Sequence, residues 1–321
     1  MSDNVFIAGH NGMVGSAILR KLKNNKSLNI LTRNKTDLDL TNQTQVQNFF
    51  SKNEINQVYL CAAKVGGIYA NNTYPADFLY ENLMIQCNVI NSSFKNNVRK
   101  LLFLGSSCIY PRNVEQPMKE ESLLTGSLEP TNEAYAIAKI SGLKMCEFYK
   151  KQYSSLADVD FRSVMPTNLY GPGDNYDLKN SHVIPAIIKK VYEAKLNNSK
   201  QVEIWGDGSP VREFLHVNDL ADACVFYMNL DKIKVKNYSF LNVGAGKEIS
   251  IKNLTKLIIK IIGYNGSVKF DKTKPNGSPR KLMDSSKINH LGWFPKINLE
   301  EGLNQTYKNF LKENEKKSSI N

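Results

Sequence analysis

Near the start of the chain stands Asn4-Val5-Phe6-Ile7-Ala8-Gly9-His10-Asn11-Gly12-Met13-Val14-Gly15-Ser16-Ala17-Ile18-Leu19-Arg20-Lys21-Leu22. A short apolar run, three glycines and an apolar-periodic stretch read as strand, tight turn and helix. Gly9, Gly12 and Gly15 let the backbone turn sharply and approach a pyrophosphate, which then sits on the helix N-terminus. The spacing is G-x-x-G-x-x-G rather than G-x-G-x-x-G, and a glycine turn without a ligand is the alternative.

The second strand, Leu28 to Thr32, ends in Arg33-Asn34-Lys35. A carboxylate here would hold a ribose 2′-hydroxyl; two cations and no acid favour a 2′-phosphate, hence NADP over NAD. The competing reading is a pair of solvated surface cations. Alternation continues with strands at Val58–Ala63, Leu101–Leu104 and Asp160–Met165, and helices at Tyr80–Asn96 and Glu133–Tyr153. Apolar strands alternating with helices belong to a parallel sheet covered on both faces, whose ligands bind at the strands' carboxyl ends. The expected fold class is α/β, a doubly wound parallel Rossmann sheet with a smaller C-terminal α/β domain. The first spans 1–170, with return segments near 214–246. The second spans 171–213, which includes a helix from Ile184 to Leu196, and 247–315. A frayed tail is expected over 316–321.

The 321 residues, 41% hydrophobic and 22% charged, are those of a globular protein. No apolar run is long enough to span a bilayer and no leader-like segment precedes the first strand, so the cytoplasm is the expected compartment. Cys61, Cys87, Cys108, Cys146 and Cys224 are scattered, which fits neither a disulfide framework nor a zinc site. No metal is expected. A net charge of +12 invites a nucleic-acid reading. The lysines are dispersed, however, without an aromatic ladder, and a diffuse positive field suits a polyanionic small molecule equally well.

Glu133-Ala134-Tyr135-Ala136-Ile137-Ala138-Lys139 places Tyr135 and Lys139 on one face of a helix. A free phenol titrates near 10 and is a poor acid–base catalyst at neutral pH. An ammonium about 4 Å away, at an effective dielectric of about 20, favours the phenolate by up to about 4 kcal/mol. Tyr135 is therefore expected to titrate closer to neutrality. Ser106, just past the strand Leu101–Leu104, completes a set in which serine donates to a substrate oxygen, tyrosine exchanges a proton and lysine tunes the phenol. The bland reading is a Tyr and a Lys on an amphipathic helix.

Longer blocks carry a resemblance. They include Ala62-Ala63-Lys64-Val65-Gly66-Gly67-Ile68, Leu101 to Pro111, Glu129 to Lys139, Ser163 to Pro172, Asn180 to Pro185, Arg212 to Val217 and Lys274 to Lys281. With them the chain resembles the extended short-chain dehydrogenase/reductases over nearly its whole length, and within that family the branch that epimerises and reduces GDP-4-keto-6-deoxy sugars. The resemblance implies a two-stage reaction. Cys108 would be the base and His182 the acid that invert C3 and C5, whose C–H bonds the C4 ketone acidifies. NADPH would then reduce C4, with Tyr135 protonating the alkoxide beside Ser106 and Lys139. His10 and His216 are read as structural, though both lie in matched blocks.

The resemblance also assigns binding residues. Gly9, His10, Asn11, Gly12, Met13, Val14 and Gly15 would hold the NADP(H) diphosphate, with Arg33, Lys35, Asp39 and Leu40 at the adenosine end. Leu104, Gly105, Ser106, Ser107, Lys139, Pro166, Thr167, Asn168, Leu169 and His182 would surround the nicotinamide end. The GDP-sugar would take Lys190, Trp205, Arg212, Gly277 and Arg280, because cations suit a diphosphate and an indole offers a face for stacking. Two departures stand out: Asn11 replaces an arginine of some relatives, and Lys189-Lys190 replaces arginines and loses their bidentate fork. A homodimer packed through the Tyr–Lys helix is also implied. Alternatives are a sibling acting on a GDP-4-keto-deoxyheptose for a bacterial capsule, a non-catalytic NADP-binding sensor, and a basic RNA-binding module.

Overall fold

Val5 to Ala8 bury almost completely, none of them more than 1% exposed, as a strand covered on both faces must. The computed structural model describes residues 2–153, 157–178, 180–274 and 276–318. From β1 (Asp3–Ala8) the chain passes through α1 (Met13–Leu22), β2 (Leu28–Leu31), α2 (Gln43–Lys52), β3 (Gln57–Leu60) and the short α3 (Ile68–Thr73). It continues through α4 (Pro75–Lys95), β4 (Lys100–Leu104), α5 (Glu133–Tyr153), β5 (Asp160–Pro166), β6 (Asn168–Tyr170), α6 (Val183–Leu196), β7 (Gln201–Trp205) and β8 (Val211–His216). Next come α7 (Val217–Asn229), α8 (Lys232–Val235), β9 (Leu241–Val243), β10 (Glu248–Ser250) and α9 (Ile251–Ile262). Last are β11 (Ser267–Asp271), β12 (Arg280–Lys281), α10 (Ser286–His290) and α11 (Leu299–Ser318).

Six strands form one parallel sheet in the order β2-β1-β3-β4-β5-β9, the doubly wound arrangement that the alternation predicts. The order reverses between β1 and β3, and a crevice opens there at the strands' carboxyl ends. One face is covered by α1 and α7, which share a core with Val5, Ile7 and Val164. The other is covered by α2, α4 and α5 through Val46, Phe50, Val89 and Leu143. Pro75 stands at the first position of α4, where its missing N–H costs nothing, so this helix starts five residues earlier than Tyr80.

A third core joins α6, β7, α9 and α11 through Ile188, Ile204, Ile258 and Phe310. Two small sheets accompany it: β7 with β11, and β8 with β6, β10 and β12. Of the segments expected to return near 214–246, β9 joins the main sheet and α7 covers it, whereas β8 pairs within a small sheet. The last helix continues through Ser318, where a frayed tail was expected from 316; residues 319–321 lie outside the described residues. His216, expected to be structural, stands at the N-cap of α7. Its Nδ1 accepts the Asn218 N–H to cap α7, and burial with the nearby Arg20 lowers its pKa to about 4.

Inside β5, Arg162 is 1% exposed yet satisfied. It donates through Nε to Asp160 (2.8 Å), through a second nitrogen to the same carboxylate, and to the carbonyls of Tyr227 and Leu230 at the end of α7. This ties β5, the neighbour of the edge strand β9, to the covering helix α7. Replacing Arg162 with Met would leave Asp160 buried without a counter-charge, so stability in urea unfolding should fall by about 3–5 kcal/mol. A loss below about 1 kcal/mol would mean that the network does not hold the two together.

Candidate active site

The glycine turn is a cradle in which side chains have no room. Gly9 has φ +87°, and a Cβ there would lie 2.7 Å from the Ala62 nitrogen; one on Gly15 would lie 2.1 Å from the Gly9 carbonyl oxygen. The Gly12 N–H donates to that same carbonyl (3.0 Å), and Gly12 precedes α1 without a side-chain cap. The first turn of α1 thus keeps backbone donors for an anion. Beyond the end of β2, Arg33 and Lys35 line the same crevice. Asn11 donates to Asn34 (2.8 Å), and the carboxylate of Asp39 is taken up by the N–H and hydroxyl of Thr41 (2.9 and 2.8 Å). Two cations with an occupied carboxylate fit a 2′-phosphate better than a free 2′-hydroxyl.

The crevice is one continuous cleft of about 870 Å³, and it brings together Ser106, Cys108, Tyr135, Lys139 and His182. Ser106 follows Gly105 at the end of β4, where any larger residue would strike the Met165 side chain at 2.1 Å. The Ser106 hydroxyl accepts the Cys108 N–H (3.3 Å), fixing the short 3₁₀ turn that carries the thiol. Tyr135 and Lys139 lie one turn apart on α5, which Gly142 allows to approach Phe103 and Gln86 closely. Lys139 is 3% exposed; its Nζ donates to the Leu104 carbonyl (2.8 Å) and lies 5.0 and 5.7 Å from the ring centres of Phe103 and Tyr135.

The electrostatics correct one expectation. Burial pushes the Tyr135 phenol above its ordinary value, Cys108 adds to the rise, and a hydrogen bond with Ser106 opposes it. Burial also lowers Lys139 to about 8, with Cys61 and Cys108 opposing. Desolvation, and not the neighbouring ammonium that the helical spacing suggested, sets the direction, so Tyr135 keeps its proton. His182 stands at the N-cap of α6, surrounded by protein but open to the cleft, and desolvation lowers its pKa.

Every residue expected to hold the dinucleotide lines this cleft, and so do Lys190, Trp205, Arg212 and Gly277. Lys190 donates to the Glu203 carbonyl (3.1 Å) and, with Lys274, flanks the indole of Trp205 at 5.2 and 5.6 Å. Gly277, at φ +71°, lets its loop approach the Arg212 guanidinium. Arg280 is the exception: it pairs with Glu248 (2.8 Å) outside the cleft, and its neighbour Lys281 lines the wall instead. Successive residues of a strand face opposite ways, and β12 is paired so that Lys281 faces inward. Of the two lysines that replace arginines, Lys189 is directed to Glu193 and only Lys190 lines the cleft. The motif reading missed Asn132, which lies 3.4 Å from the Cys108 sulfur, and also Asn71 and Ser181. Only the position of Asn132 in the Tyr–Lys block hinted at it.

Residues 5–244 match the NAD dependent epimerase/dehydratase family. The chain is 53% identical to the GDP-L-fucose synthase of Escherichia coli (strain K12), with 96% of each chain covered. It is also 53% identical to GDP-L-fucose synthase 1 of Arabidopsis thaliana, covering 97% of this chain and 94% of that one. Among solved structures, the GDP-mannoheptose C4 reductase from Campylobacter jejuni with NADP bound is 38% identical, at a TM-score of 0.87, with 97% of this chain and 98% of that chain covered.

The cradle is tested by Gly15→Ala. The added methyl group meets backbone that cannot yield, so NADPH affinity, followed by the cofactor's fluorescence, should drop by about 100-fold or more. Undiminished affinity would place the dinucleotide elsewhere.

Proposed function

Because this chain belongs to the NAD dependent epimerase/dehydratase family, within the extended short-chain dehydrogenase/reductases, we propose that its cleft epimerises and then reduces one GDP-sugar without releasing it. The enzyme is an NADP-dependent oxidoreductase with epimerase activity. Its substrate is GDP-4-keto-6-deoxy-D-mannose and its product GDP-L-fucose. The observation that carries this reading is the convergence of Ser106, Cys108, Tyr135, Lys139 and His182 on one cleft.

Cys108, as thiolate, removes the proton from C3 or C5; the C–H electron pair moves into the C4 carbonyl as an enolate. His182 returns a proton from the opposite face, which inverts the centre. NADPH, when bound along the glycine cradle, supplies hydride for C4. Ser106 donates to the C4 oxygen, and Tyr135 transfers its proton there as the alkoxide forms. The raised pKa of the phenol suits this direction, since a donor must hold its proton until negative charge develops. Lys139, a cation below about pH 8, stabilises the phenolate left behind.

Lys190, Arg212 and Lys281 are assigned to the GDP diphosphate, with Trp205 beside the base. The main sheet with its helices forms the cofactor lobe; α6, β7, β8 and the segment from β10 onward form the substrate lobe, with α7 and β9 returning to the first. A homodimer is proposed through α4 and α5, whose outer faces leave Tyr80, Ile137 and Phe148 exposed by 63%, 41% and 57%. Among the described residues no helix is long and apolar enough to cross a membrane. The five free cysteines fit a reducing compartment, and we assign the enzyme to the cytoplasm. A second reading, action on a GDP-4-keto-deoxyheptose, is favoured by the likeness to the heptose reductase.

NADPH consumption with each ketosugar tests the choice, and two variants test the roles. Tyr135→Phe should lose reduction by about 100-fold or more. Cys108→Ser should lose the exchange of the C3 and C5 hydrogens with deuterated water. Reduction should weaken above about pH 8 as Lys139 loses its charge, and exchange should weaken as pH rises through the lowered pKa of His182. Full activity of Tyr135→Phe, or no ketosugar consumed, would overturn the proposal.

A further inference from the structure

Most asparagine side chains near the cleft serve the backbone. Asn71 donates to the carbonyls of Gly66 and Gly67 (2.8 and 3.0 Å), and Asn82 grips both the N–H and the carbonyl of Lys64. Asn132 does not. Its Nδ2 donates to the Cys108 sulfur at 3.4 Å, while its Oδ1, like that of Asn71, is buried with no hydrogen-bond partner among the described residues. What sets Asn132 apart is that its N–H goes to a sulfur and not to backbone, which points to the chemistry of that sulfur.

We infer that Asn132 is a positioning residue for the base: its N–H bonds to the Cys108 sulfur, stabilises the thiolate and fixes the direction in which it meets the sugar. An N–H donor bonds more strongly to a charged acceptor than to a neutral one, so the contact favours S⁻ over S–H. A free thiol is only a few per cent ionised at neutral pH. During abstraction the thiolate takes the C–H proton and becomes S–H. The freed electron pair passes to the C4 oxygen, and the N–H···S bond weakens as the charge leaves. Asn132 therefore acts on epimerisation and has no direct part in hydride transfer. The other titratable groups around this part of the cleft include Cys61 after β3, Tyr135 and Lys139 on α5, His182 at the start of α6, Glu129 beside Asn132, and the paired Lys64 and Glu81.

This inference rests on the epimerase-reductase reading, and its test separates the two. With NADP⁺ bound and no sugar present, the pH dependence of iodoacetamide alkylation is followed at the Cys108 peptide by mass spectrometry, which sets aside the other four cysteines. Asn132→Ala should move the midpoint up by about one pH unit, and Asn132→Asp, nearly isosteric but negatively charged, should move it further. Exchange of the C3 and C5 hydrogens at pH 7 should fall about tenfold in Asn132→Ala. Circular dichroism and NADPH binding report the fold of each variant. A midpoint that stays at the wild-type value in both variants overturns the role of Asn132. Absence of exchange in the wild-type enzyme with every ketosugar overturns the epimerase reading itself, whatever the alkylation shows.

Discussion

A buried ammonium lying on the end of a strand organises this enzyme. Among the described residues Lys139 has no carboxylate partner; the Leu104 carbonyl and the faces of Phe103 and Tyr135 offset the loss of its hydration. That compensation is partial, which is why the charge is held only up to about pH 8. Geometrically the contact pins α5 to the carboxyl end of β4. Tyr135, one turn back on α5, then faces Ser106 and Cys108, which leave that same strand end.

The groups proposed to handle protons come from separate elements that meet only because the parallel sheet presents one edge. Ser106 and Cys108 follow β4, Tyr135 and Lys139 ride on α5, and His182 opens α6. The glycine cradle after β1 opens onto the same edge. The opposite wall comes from the smaller sheets, through Trp205, Arg212 and Lys281. The proposed base, Cys108, and the proposed acid, His182, come from different elements lining one cleft, as chemistry on opposite faces of a sugar ring requires. A phenol that keeps its proton completes a reduction. Both tasks fit one cleft because they share the C4 ketone, which acidifies the C–H bonds and then accepts hydride.

Where the information was local, the sequence made it legible. The runs Val5–Ala8 and Leu101–Leu104 are fully apolar and bounded by polar residues or glycine, so their strand ends were found to within a residue or so. The helix Glu133–Tyr153 was readable from its alanines and the preceding Pro130. The small sheet was not, since β6, β10 and β12 have two or three residues each and show no periodicity. Arg280, expected at the substrate, lies outside the cleft for the same reason: the pairing of β12 on β8, set by tertiary contacts, decides which of Arg280 and Lys281 faces the cleft. The direction of the Tyr135 shift depends on burial, which spacing cannot report. Asn132 reaches Cys108 across 24 positions, a relation visible only in the folded chain.

One isotope experiment bears most directly on the account. Wild-type enzyme turning over GDP-4-keto-6-deoxymannose in deuterated water, with NADPH carrying ordinary hydrogen, should give a product labelled at C3 and C5 and unlabelled at C4, with the L configuration. A product without solvent label at C3 and C5, or one of unchanged ring configuration, would contradict the claim that a single cleft performs both inversions and the reduction.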